Sequence, residues 1–116
     1  MEVMAQAKWI RRTPRKARLV ADAVRGLRVD EALTYLRFMP NHAAREVASV
    51  IKSAAANAEH NYELERSSLR VKELKVDEGN RLRRFRPRAR GLAHGYVKRT
   101  CHITVVVDDG DHAQVS

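Results

Sequence analysis

The sequence predicts an α+β fold: three helices against a small antiparallel sheet, with a long cationic two-stranded arm projecting from it. Three observations predict this. Three successive segments carry apolar residues at helical spacing, and two later segments alternate at β spacing. The connection between those two β segments is about 17 residues long, far beyond the two to five of an ordinary hairpin loop.

Taken in order, Val3–Ile10 is the weakest element, a candidate third strand at the sheet edge. Thr13-Pro14 then starts a helix, with threonine as N-cap and proline where its missing N–H costs nothing. Ala17, Leu19, Val20, Ala23, Val24 and Leu27 supply its apolar stripe, and Gly26 its stop. Residues 30–38 make a short second helix with Asp30 and Glu31 in the first turn, where the macrodipole favours them, and Met39-Pro40 ends it. Asn41 is the expected cap of a third helix to about Asn61, striped by Ala44, Val47, Val50, Ile51, Ala54, Ala55 and Ala58. Its small residues suit close packing against another backbone.

In the β half, Leu69 and Val71 alternate in one phase, Leu74 and Val76 in the other. A β-bulge near Lys72-Glu73 reconciles them. Tyr96–Val107 reads as a strand with Cys101, Ile103, Val105 and Val107 on one face. Between the two strands, RLRRFRP keeps strand-compatible spacing, so both strands extend outward as an arm reaching roughly 25 Å past the core. The division expected is one domain: a globular part at 1–79 and 97–110, a hairpin at 80–96 within it, and a flexible tail at 111–116.

Charge points to function. The chain of 116 residues carries a net charge of +9, distributed unevenly. Residues 79–100 hold eight basic side chains (Arg81, Arg83, Arg84, Arg86, Arg88, Arg90, Lys98 and Arg99) and no acid. Residues 8–18 hold six more (Lys8, Arg11, Arg12, Arg15, Lys16 and Arg18), again without an acid. The remainder has nine basic and fourteen acidic residues, a balance of −5. An ordinary domain carrying two strongly cationic segments is the electrostatic footprint of a polyanion binder. Arginine's planar fork pairs bidentately with phosphate, which would order an arm that is marginal alone. Arg15, Lys16 and Arg18 lie at the positive end of the first helix, an unfavourable place that an external anion explains. Phe85, among the arginines, either stacks on an unpaired base or packs back on the arm.

Enzymatic readings find little support. Cys101 and His102 are strand neighbours and point to opposite faces, so they do not form a nucleophile–base pair. The five histidines show no metal-ligand spacing, and there is no glycine-rich phosphate loop. No catalytic residue, metal or cofactor is expected. A lone cysteine, no signal-like start and no apolar run near the roughly 20 residues of a membrane span point to a soluble intracellular protein. A DNA-bending architectural protein with an arginine/proline β-arm is the alternative that these features leave open.

TPRKARLV (13–20), DEAL (30–33), ANAE (56–59), VDEG (76–79), RRFRPRARG (83–91) and KRTCHITV (98–105) occur together in this order. In that set the chain resembles the large-subunit ribosomal protein L-twenty-two family of bacterial type, over about residues 5–108. The resemblance implies three helices on a three-stranded antiparallel sheet with a projecting hairpin. It implies a cytoplasmic, ribosome-bound structural protein. Its partners would be large-subunit ribosomal RNA, neighbouring large-subunit proteins and, in the polypeptide exit tunnel, the nascent chain; a membrane is not among them. By the same resemblance the hairpin arginines and those of the first helix contact RNA. Arg86, Pro87, Arg88, Ala89, Arg90 and Gly91 form a tip that lines the tunnel. Asn80 stands where proline is common, Cys101 where serine is common, and residues 92–97 are less basic than is typical.

Overall fold

The structure, a computed structural model, describes residues 1–79, 81–87 and 93–109. The elements run β1 (Glu2–Ile10), α1 (Pro14–Val24), α2 (Val29–Arg37), α3 (Ala43–Tyr62), a 3-10 turn (Arg66–Ser68), β2 (Arg70–Glu78), β3 (Leu82–Pro87), β4 (Ala93–Lys98) and β5 (Cys101–Asp108). This is the expected α+β fold, with β1 as the third strand. Strands β1, β5 and β2 form an antiparallel sheet in the order β1-β5-β2, and β3 pairs with β4 as a separate two-stranded ribbon.

Period-2 alternation decides what the sheet buries. Val3 and Ala5 of β1, Val71, Leu74 and Val76 of β2, and Cys101, Ile103, Val105 and Val107 of β5 point inward to the helices. The phase change in β2 is absorbed by a register shift between Val71 and Glu73, at the bulge that the alternation predicts. Against this face lie Ala17, Val20, Ala21 and Val24 of α1, Ala32 and Leu36 of α2, and the full alanine-rich stripe of α3. Ile51 at the middle of α3 is wholly buried. Side chains of its size stabilise by about 1.5–3 kcal/mol each when removed from water.

Helix ends follow local chemistry, with two corrections. The Thr13 side chain accepts from the Lys16 N–H at 3.4 Å, capping α1 as expected. The chain leaves α1 at Arg25 (φ −63°, ψ 131°), and Gly26 takes φ +88° in the turn that follows, closed by the Leu27 N–H donating to the Val24 carbonyl at 3.3 Å. Leu19, assigned to the apolar stripe, is 63% exposed, because the buried stripe of α1 runs through Pro14, Ala17, Val20, Ala21 and Val24. Asn41 does not cap α3 either. The N-cap position is His42, in helical conformation and with no side-chain cap bond, while Asn41 offers only its backbone carbonyl, to the Ala44 N–H at 3.1 Å.

Strand β2 is a sheet edge, and the chain covers it. The α1–α2 connection lies along its start, with Gly26 N–H donating to the Val71 carbonyl, Val71 N–H to Leu27 and Val29 N–H to Leu69. Further along, Arg25 donates to the Leu74 carbonyl at 2.7 Å and Arg18 to the Val76 carbonyl at 3.1 Å. An edge whose carbonyls are occupied in this way is a poor template for another strand.

The ribbon β3–β4 gives the molecule its length. Principal extents are 67 × 25 × 25 Å and the radius of gyration is 17.5 Å, against about 13 Å for a compact chain of this size. Its register runs from Leu82 opposite Lys98 to Pro87 opposite Ala93.

Candidate nucleic-acid interface

The two cationic segments, some eighty residues apart in sequence, meet at the root of the arm. Strand β1 delivers Arg11 and Arg12 just before α1, and the first turn of α1 adds Lys16. The return limb adds Lys98 and Arg99 beside Val97. With Leu19, Pro40, Asn41, His42 and Ala43 they line a groove of ≈ 670 Å³, in which, among the described residues, five lining residues are cationic and none is acidic. Exposed Leu19 forms part of its apolar floor. This convergence depends on the antiparallel pairing of β1 with β5, which sets Ile10 opposite Cys101, directly after Arg99 and Thr100.

The individual cations differ in what they are free to do. Arg11, Arg15, Lys16, Lys98 and Arg99 are exposed, as is Lys8 on β1. Arg12 is partly held inside the protein: its guanidinium meets Glu46 at 3.2 Å, and Arg12 Nε and Glu46 Oε2 are both buried without a hydrogen-bond partner among the described residues. Arg18 spends its Nε–H on the Val76 carbonyl. Arg81 is paired with Glu78 at 2.9 Å across one turn of chain, an exposed contact of little energetic weight. Arg83 is exposed and lies opposite Val97. Arg84, Phe85, Arg86 and Pro87 are placed in β3 with partners Tyr96, Gly95, His94 and Ala93. Arg88, Ala89, Arg90 and Gly91 lie outside the described residues, as does the tail 111–116.

Two features of the root were not legible beforehand. Trp9 adopts φ 61° at the point where the β1–β5 register shifts, and its backbone N–H donates to His102 Nδ1 at 3.2 Å. Its ring meets His102 edge-on, with centroids 5.3 Å apart, and is 54% exposed. A tryptophan set inside KWIRR is the signal that could have found it. His42 at the groove wall gave no signal, since only the α2–α3 connection brings it there.

The buried Cys101 belongs to the core. Burial, with the nearby Glu46 charge, raises its thiol pKa, while Arg18 opposes this. A thiol held protonated is a poor nucleophile. Among the described residues no group of three or more His, Cys, Asp or Glu could hold a metal ion, and no helix is long and apolar enough to cross a membrane.

A family model described as ribosomal protein L22p/L17e matches residues 5–108. The chain belongs to this family. L22p/L17e members are structural ribosomal proteins, not enzymes. The chain is 54% identical over 109 residues to the large ribosomal subunit protein uL22 of Chloroflexus aggregans, covering 94% of this chain and 96% of the relative. The same identity and coverage hold for uL22 of Desulforamulus reducens. For uL22 of Herpetosiphon aurantiacus it is 51% over 111 residues, 96% of this chain and 98% of the relative. The L22p/L17e match embraces α1, the acid-free groove and both strands of the arm.

Proposed function

We propose that this protein is a structural constituent of the large ribosomal subunit. It binds ribosomal RNA through the groove at the arm's root and along the arm, and lines the polypeptide exit tunnel with the hairpin. The observation that carries this reading is the groove itself: two segments distant in sequence combine their cations at one place, with no carboxylate in its lining among the described residues. An ordinary solvated surface mixes charges, as the Lys72–Glu2 and Arg25–Asp22 pairs do elsewhere on this molecule. Arg11, Arg15, Lys16, Lys98 and Arg99 act as phosphate contacts at the root. Arg83, Arg84 and Arg86 continue them outward, and Arg88 and Arg90 reach the tip. Each arginine can present two parallel N–H groups to a phosphate, and each contact releases condensed counterions. The partners are ribosomal RNA, neighbouring large-subunit proteins and the nascent chain passing the tip, and the setting is the cytoplasmic ribosome. No chemical step is involved.

The test is RNA affinity measured across salt concentrations, together with residue-level protein–RNA crosslinking in assembled large subunits. About ten phosphate contacts give a log–log slope of roughly −7 to −9, and crosslinks at Arg11, Lys16, Arg83 and Arg99. A slope shallower than about −2, or crosslinks confined to the open face of the sheet, would sink the reading.

A further inference from the structure

We propose that the groove between α2 and α3 is a second RNA-docking surface, which takes the phosphodiester backbone of a strand continuing past the arm's root. This rests on the RNA-binding reading above and extends it to cations that neither basic segment contains.

The groove has a volume of ≈ 840 Å³, and among the described residues its charged lining is Arg37, Arg45, Lys52 and Arg66 against a single carboxylate, Asp30. Arg66 holds that carboxylate at 3.0 Å, so the acid is already answered within the protein. Arg45 and Lys52 stand seven residues apart on α3, two turns along one helix face. Both are exposed, and neither has an acidic partner among the described residues. Pro40, Asn41 and His42 line this groove and the one at the arm's root alike. The two grooves therefore adjoin at the α2–α3 turn, with Lys98 and Arg99 on one side of it and Arg45 and Lys52 on the other.

An acidic protein segment would also be drawn to this charge. Continuity favours RNA: through Pro40, Asn41 and His42 the groove runs into the one at the arm's root, whose described lining carries five cations and no acid and is already suited to phosphate.

The experiment measures binding of the full chain to refolded total large-subunit ribosomal RNA against salt. It compares the wild type, Arg45→Gln/Lys52→Gln, Lys52→Gln alone, and Lys75→Gln as an exposed lysine outside both grooves. Arginine, lysine and glutamine have similar helix propensities, so melting should be unchanged. The double variant should bind roughly tenfold more weakly near physiological salt, with a slope shallower by about 1.5; Lys52→Gln should lose about half of that slope change. Lys75→Gln should match the wild type. If the wild type binds steeply and the double variant binds identically, the second surface is refuted while the function above stands. If the wild type shows no salt-dependent RNA binding, both fall. Unchanged RNA binding with lost affinity for a poly-glutamate peptide would overturn the proposal by assigning the groove to a protein partner.

Discussion

Gly79 donates its backbone N–H to the Thr100 carbonyl at 2.9 Å, and a Cβ added at Gly79 would lie 2.5 Å from Thr100 Oγ1. The two residues are the gate through which the sheet becomes the arm. Thr100 is buried to 1% exposure, so its side chain has little room to yield. Gly79→Ala should destabilise the domain by roughly 1–3 kcal/mol, as other overpacked sites do. In a double-mutant cycle with Thr100→Ala, the two changes should couple by about 0.5 kcal/mol or more, because removing the hydroxyl removes the clash. Additive urea-denaturation energies would show that the close approach is not what requires glycine there.

Lys16 in α1 and Arg25 at its C-cap should fall into two classes. Arg25 donates to Leu74 of β2 while pairing with Asp22, so Arg25→Ala should cost roughly 1 kcal/mol of stability and leave RNA affinity nearly intact. Lys16 lines the groove and supports nothing inside the fold except through its backbone, so Lys16→Gln should do the reverse. Thermal melts paired with RNA titrations check this. Equal effects of both substitutions on binding would mean that the groove is not the locus.

Removing residues 85–95 should leave the globular part folded. The buried core among the described residues lies at positions 3–76 and 101–107, and a change in loop length costs only about 0.6 kcal/mol per doubling. The shortened protein should melt near the wild-type temperature and enter large subunits, while nascent-chain transit and tunnel-blocking drug response change. Collapse of the melting transition would make the arm part of the fold.

Cys101 gives a pH signature. Its thiol pKa is raised in the fold by burial, so above the unfolded thiol pKa of about 8.5 the unfolded chain loses a proton that the folded chain keeps. Stability should therefore be unaffected by this group at neutral pH and fall as pH rises past that value, by at most about 1.4 kcal/mol per unit. Lys72, whose pKa is raised by its hydrogen bond to Glu2, contributes stability present below its unfolded pKa near 10.4 and lost only above it. Urea melts at pH 7.5, 8.5 and 9.5 should thus show a decline that Cys101→Ala removes. An identical decline in the variant would assign it elsewhere.

Much of the fold could be read before the structure because burial imposes a period. The β-bulge was visible as a phase change between Val71 and Leu74, and the start of α1 as Thr13-Pro14. Leu19 misled because an apolar residue at helical spacing need not face the core when the neighbouring surface is a groove. Asn41 misled because a backbone carbonyl did the work assigned to its side chain. For the candidate site, the sequence named the cations but not their division of labour. Whether Arg12 faces Glu46 or solvent, and whether Arg18 reaches Val76, are facts of tertiary geometry that no local pattern encodes. Arg45 and Lys52 passed unnoticed because seven residues separate them and neither belongs to a basic run; only the turns of α3 bring them to one groove.

The strand order β1-β5-β2 has a consequence for how this chain is made. Its middle strand is the last element to leave the ribosome that synthesises it, whereas both neighbours emerge earlier, β1 before any helix. Until residues 101–108 arrive, neither flanking strand has its partner, and Val3, Val71 and Ile51 have no sheet to close over them. The three helices can form locally, but the domain as a whole must wait for contacts that span nearly the full chain, which slows folding and leaves strand edges open in the interim. Newly made molecules will therefore pass through a stage after synthesis in which the sheet is incomplete and its strand edges are open.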